Sequence, residues 1–177
     1  MQKLSILGIS GSLRENSTNT IILKNLAKLL PAHASFELFD ELHRIPPFSP
    51  GDVDGDAVKS LKEKIAKAAG VIICTPEYAF GVPGVLKNAL DWTVSTGELN
   101  KKPVAAISAS PLNSGGDKAL ASLLLTLTAL GTAKNEKSTL AIPNVKSIIT
   151  SDGITSDDRT IALLQDQVNN LFKIIGS

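Results

Sequence analysis

Apolar positions along the chain follow two alternating patterns. Short, mostly apolar runs occur at residues 3–9 (KLSILGI), 71–75 (VIICT) and 103–107 (PVAAI), that at 71–75 without alternation. Between them, apolar residues recur every three or four positions, the spacing of one helix face. Ile22, Leu26, Leu29 and Leu30 form the first such face, ending at Pro31. Val58, Leu61, Ile65 and Ala69 form the second, with Gly70 as its C-terminal cap. Residues 85–94 form the third, with Pro83 as its first residue. Leu120, Leu123, Leu124, Leu127 and Leu130 form the fourth, stopped by Gly131, and Ile161, Leu164, Val168, Leu171 and Ile175 the fifth. Two weaker strands complete the set, at residues 35–39 (SFELF), which alternates, and at 137–142. The segment HRIPPFSPGDVDGD reads as a loop from its proline, glycine and aspartate content. There is no internal repeat, low-complexity segment or linker.

A strand that is apolar without alternation is buried on both faces, as in a parallel sheet covered by helices. Five strands alternating with five helices predict a doubly wound α/β sandwich with right-handed crossovers. The strand order expected is 2-1-3-4-5, the flavodoxin-like arrangement, in one domain spanning all 177 residues. Ligands of such sheets bind beyond the carboxyl ends of the strands, where the order reverses between strands one and three. The loops after strands one, three and four therefore carry the candidate chemistry.

The first loop lies where free N–H groups and the positive end of a helix dipole meet, a setting for anions. It lacks a Gly-Lys-Ser/Thr ending, and Gly8 and Gly11 do not have the GxGxxG spacing. It holds instead hydroxyls and amides, Ser10, Ser12, Ser17, Thr18, Asn19 and Thr20, with Arg14 as its one cation. Such a cage suits a terminal monophosphate, whose oxygens accept several charge-assisted bonds at once. The plainer reading is a capping segment with Ser17 or Asn19 as N-cap.

The second loop, PEYAFGVPG, is stiffened by two prolines and holds two of the chain's seven aromatics, Tyr78 and Phe80. Its backbone amides suit the edge of a planar ring and its aromatics the face; alternatively, the rings simply cover the end of the sheet. The third loop, residues 108–116, is made of small residues that border a flat ligand or merely connect two elements. Together the three loops describe a ligand with a terminal phosphate and a flat polar ring, and FMN fits.

Composition narrows the alternatives. Apolar residues are 43% and charged residues 20%, as in ordinary globular folds. A net charge of +1 provides no broad basic field for nucleic acid. Cys74 is the only cysteine, so the chain forms no internal disulfide and no thiolate-rich metal site. It reads as an inert core residue, and His33 and His43 as surface or loop residues. The start MQKLSILGIS lacks signal-peptide character, and no apolar stretch is long enough to cross a bilayer. The expectation is a cytoplasmic protein with neither nucleic-acid nor membrane partners.

GSLRENSTN resembles the GSLR-x-x-S-x-N signature of the NADPH-dependent FMN reductase family, and TPEYAFGVPGVLKNALDW resembles that family's TPEYN-x-x-x-PG-x-LKNA-x-DW. The resemblance implies bound FMN, reduction by NADPH or NADH, and transfer of the hydride to an acceptor such as a quinone, flavin, azo compound or chromate. Ser12, Arg14, Ser17 and Asn19 would hold the phosphate, with the backbone of Leu13 and Thr18 nearby. Pro76, Glu77, Tyr78 and Ala79 would lie along the ring and Ser110 at its border, with no acid or base catalyst among the side chains. Ala79 stands where the family has asparagine, and Phe80 beside it would wall the ring or the substrate pocket. The family's habit implies a homodimer or homotetramer, with the LKNALDW helix near the interface. A flavodoxin-type electron carrier or flavin-dependent sensor is the alternative, although such carriers tend to be strongly acidic. A flavin-free binding module is the third reading.

Overall fold

In the computed structural model, which describes residues 3–153 and 155–177, strands and helices alternate as the apolar pattern predicts. They run β1 (Leu4–Ser10), α1 (Thr18–Ala27), β2 (Ala34–Phe39), a 3-10 turn (Leu42–Arg44), α2 (Asp56–Lys67), β3 (Gly70–Thr75), α3 (Gly84–Asp91), β4 (Val104–Ala109), α4 (Asp117–Ala129), β5 (Thr139–Ile142), α5 (Val145–Ile148) and α6 (Asp158–Ile175). The five strands form one parallel sheet in the order β2-β1-β3-β4-β5. This is the flavodoxin-like topology, with the switch between β1 and β3.

The unbroken apolar runs have their cause here. Every residue of β3 and β4 is buried, and successive residues serve opposite cores. Val71 and Ile73 join Leu7, Ile9 and Ala106 under α2, α3 and α4, packing on Val58, Leu61, Ile65, Leu86, Leu90, Leu123 and Leu127. Ile72 and Cys74 join Ile6 and Ile107 under α1 and α6, packing on Ile22, Leu23, Leu26, Leu164, Val168 and Leu171. Truncating one of these, for example Ile72→Ala, costs about 2–5 kcal/mol through lost transfer energy and the cavity left behind.

Several boundaries differ from the sequence reading. Gly70 is not the cap of α2: that helix closes at Ala68, whose N–H donates to Lys64 O at 3.0 Å. Gly70 opens β3, where a Cβ would lie 3.1 Å from Ile175 Cδ1 and 3.2 Å from Leu171 Cδ1. Glycine there lets α6 pass close to the sheet. Pro83 precedes α3 as its N-cap. The first helix ends at Ala27, and residues 28–30 tighten into bonds reaching three residues back, because Pro31 disfavours helical geometry at the residue before it. The third ends at Asp91, where Thr93 and Val94 bond back to Leu90 and Asp91 in the same tight manner. β4 takes Ser108 and Ala109 from the expected loop. β5 starts at Thr139 because Asn135 and Ser138 close a turn ahead of it. The short α5 has no counterpart in the sequence reading.

Candidate functional site

The three loops meet at the carboxyl edge of β1, β3 and β4. The Gly11 N–H extends the sheet by donating to Cys74 O at 2.8 Å. A Cβ on Gly11 would lie 3.0 Å from both Thr75 Oγ1 and Leu86 Cδ2, so any larger residue would push on β3 and α3 where the chain turns this close to them. Hydroxyls then organise the loop. The Ser10 hydroxyl oxygen accepts from the Thr20 hydroxyl at 2.8 Å and from the Ser12 N–H at 3.4 Å, and the Ser12 hydroxyl accepts from the Arg14 N–H at 3.4 Å.

Ser17 caps α1, its hydroxyl accepting from the Asn19 N–H at 3.3 Å. The plainer reading thus holds for Ser17, whereas Asn19 is the second residue of the helix. The first N–H groups of any helix lack partners within it. Those of Ser17 and Asn19 are taken by Arg14 O and the Ser17 hydroxyl; those of Thr18 and Thr20 remain for an anion, and no acidic residue stands in the first turn. Asn19 is 1% exposed. Its Oδ1 accepts from Cys74 Sγ at 3.3 Å, while its Nδ2 is buried without a partner among the described residues. A buried donor left this way costs about 1–3 kcal/mol, a penalty that an acceptor-rich ligand removes. Leu13 and Arg14 are exposed, and Arg14 forms no ion pair among the described residues. Buried amide, first-turn N–H groups and unpaired guanidinium are the donor set a phosphate monoester requires.

In the second loop Tyr78 and Gly81 exchange backbone hydrogen bonds of 3.0 Å in both directions. Between them Ala79 (φ +48°) and Phe80 (φ +61°) are both left-handed, making a two-residue hairpin of the primed kind. Left-handed geometry costs a residue other than glycine about 1–2 kcal/mol. The turn holds Phe80 78% exposed and Tyr78 half exposed at the ledge. Pro76 is buried. The Glu77 carboxylate turns away to accept the Ala119 N–H at 3.0 Å.

The following helix fixes this loop from below. Leu86, Ala89 and Leu90 enter the core. Asn88 accepts from the Phe48 N–H at 2.7 Å and donates to Pro46 O at 2.8 Å. The Trp92 indole N–H donates to Pro46 O at 2.9 Å, and its buried ring meets Phe48 edge-on. Trp92 is thus core, and Lys87 pairs with Asp91 at the surface.

In the third loop Ser110 is buried, its hydroxyl accepting from the Leu112 N–H at 3.2 Å. Its backbone joins the end of β5 through Ile142 O and the Val145 N–H. Gly116 (φ +82°) leaves room for a Cβ only 3.3 Å from Ser108 Cβ and 3.5 Å from Glu77 Cβ, so the second and third loops touch there. Sequence reasoning placed Gly116 in the third loop without its contact to the second, and read Cys74 as inert core; no local motif marks either role.

His33 lies edge-on to Phe172 at 5.6 Å, and His43 is exposed in the 3-10 turn. Neither belongs to the ledge, and no group of three potential metal ligands occurs among the described residues. Cavities of about 430, 380, 530, 510 and 360 Å³ are walled by residues outside the three loops. No described helix is long and apolar enough to cross a membrane.

A sequence model of the family described as NADPH-dependent FMN reductase matches residues 4–147. The chain is 34% identical over 174 residues to an NAD(P)H-dependent FMN reductase of Pseudomonas aeruginosa, covering 95% of this chain and 93% of that protein. It is 32% identical over 127 residues to an NADPH azoreductase of a Bacillus species, covering 70% and 68%. With a quinone reductase of Escherichia coli it shares 38% identity over 96 residues, covering 51% and 50%. Its fold superposes with a TM-score of 0.87 on a flavoenzyme NAD(P)H:(acceptor) oxidoreductase from Paracoccus denitrificans, at 29% identity, covering 98% of this chain and 97% of that one.

Proposed function

The chain belongs to the NADPH-dependent FMN reductase family and is an FMN-dependent NAD(P)H oxidoreductase; from that premise we propose that its carboxyl-edge ledge holds FMN and serves hydride transfer from NADPH or NADH to a small acceptor of the quinone, flavin, azo or chromate kind. The observation that carries the assignment of the ledge is the buried Nδ2 of Asn19, without a partner among the described residues, at the start of α1, whose first turn holds no acidic residue. Ser12, Arg14, Ser17 and Asn19, with the N–H groups of Leu13 and Thr18, hold the phosphate. Pro76, Glu77, Tyr78 and Ala79 line the ring through their backbone, Phe80 walls its open side, and Ser110 borders it.

FMN supplies the electron chemistry when bound. The chain's own work is to position and to exclude. The Glu77 carboxylate is occupied by the Ala119 N–H, so it serves as an anchor and not as a base. The exposed Leu13, Tyr78, Phe80 and Leu112 border the three loops and favour a homodimer or homotetramer that covers part of the ledge. The single cysteine favours a reducing, cytoplasmic setting.

The test is the absorbance spectrum of the purified protein, followed by anaerobic addition of NADPH. Flavin bands that bleach rapidly and return when a quinone is added are expected. A colourless protein that takes up no FMN would overturn the assignment, and a yellow protein that NADPH does not bleach would favour an electron carrier or sensor.

A further inference from the structure

We propose that Cys74 is a positioning residue for phosphate recognition, its thiol holding the Asn19 amide in the orientation that directs Nδ2 at the anion. The proposal rests on the FMN reading above. Cys74 is the register partner of Ser10, at the point where β3 and β1 end together beneath the first loop. Its Sγ donates to Asn19 Oδ1 at 3.3 Å across 55 residues of sequence. Both side chains are shut off from solvent, so water does not compete for either end of the amide.

An asparagine amide has two ends of opposite polarity and nearly the same shape. If Oδ1 faced a phosphate, its lone pairs would oppose the dianion; if Nδ2 faces it, a charge-assisted bond forms. Nothing in the amide's own packing distinguishes the two orientations by size. Here the thiol S–H is directed at Oδ1, and that pairing leaves Nδ2 free, which is how the structure holds it. Burial pushes the Cys74 thiol well above its ordinary pKa, so the proton that makes the bond stays in place at neutral pH. The amide is thereby set before ligand arrives, and the phosphate does not have to meet the cost of turning it.

The experiment compares two flavins that differ only in the phosphate. Full-length protein loaded with FMN or with riboflavin is diluted, and flavin released is read by fluorescence to give each dissociation constant. Cys74→Val keeps the apolar volume and removes the donor; Cys74→Ala guards against a failure specific to valine; Cys74→Ser restores a donor. The expected result is FMN binding weakened about three- to tenfold in the valine and alanine variants, riboflavin binding unchanged, and FMN binding recovered in the serine variant. Equal weakening of both flavins would mean a packing role only and would overturn the proposal, as would FMN binding unchanged in both donor-free variants. Wild-type protein that binds neither flavin would overturn the FMN reading itself. Wild-type protein that binds FMN, with donor-free variants that show no FMN-selective weakening, would overturn this inference alone.

Discussion

The Glu77 carboxylate accepts the backbone N–H of Ala119 at 3.0 Å, so the loop after β3 is fastened to the first turn of α4 by a side chain from 42 residues upstream. That helix begins after Gly116, which has no side chain to cap it. Its free N–H groups therefore draw their partner from the neighbouring loop, and a negative charge at a helix start also suits the dipole.

Removing that carboxylate uncaps α4 and frees the loop together. Glu77→Ala is expected to destabilise the fold by about 1 kcal/mol, a Tm drop of about 2–4 °C. Glu77→Gln retains an acceptor without the charge and is expected to fall between. Thermal melts of the three proteins under one buffer check the ranking.

The left-handed pair in the second loop carries strain that other residues relieve. Asparagine and glycine are the natural occupants of a two-residue primed turn. Ala79→Asn and Phe80→Gly are each expected to raise stability by about 0.5–1 kcal/mol, seen as a higher urea midpoint. Phe80→Gly also strips the open side of the ledge, so KM for planar aromatic acceptors is expected to rise while FMN stays bound. Lower stability in both variants would argue against the turn.

Arg14 is exposed in the first loop and forms no ion pair among the described residues, so its loss leaves the core intact. Arg14→Ala is expected to weaken FMN binding by about tenfold or more, the worth of a charge-assisted bond to phosphate, with an unchanged circular dichroism spectrum. Titration of the variant with FMN reads the effect directly.

At the start of α6, Asp157 accepts from the Thr160 hydroxyl at 2.6 Å and from the Thr160 N–H at 2.8 Å. These bonds favour its charged form and hold its pKa below the usual carboxylate value. A folded value lower than the unfolded one adds stability above the unfolded pKa and loses it as pH falls through the folded one. The stability advantage of wild type over Asp157→Asn is therefore expected to shrink between about pH 5 and pH 3. Urea unfolding at both pH values measures it, and a constant difference would remove Asp157 from the acid response.

Much of this was legible from residue order alone. Unbroken runs such as VIICT announce a strand buried on both faces, and the order of strands and helices then fixes the edge where the three loops gather. The chemistry of LRENSTN is readable because small hydroxyls and amides ahead of a helix act through nearby backbone. Relationships between distant residues were not readable. Gly70 resembles a cap until α6 is seen crossing it, and nothing in PEYAFGVPG shows that the Glu77 carboxylate serves the uncapped start of α4. Cys74 looks like plain core because its one hydrogen bond goes to a residue on another element. The left-handed turn was hidden for a different reason: alanine and phenylalanine do not advertise it, whereas asparagine and glycine would.

The burial of the chain's sole sulfhydryl has a practical side. Quinones and related electrophiles arylate accessible sulfur by conjugate addition, a hazard for any catalyst that handles them in quantity. Here the side chain that would be attacked is sealed between the sheet and α1, so repeated exposure to such compounds meets no accessible thiol.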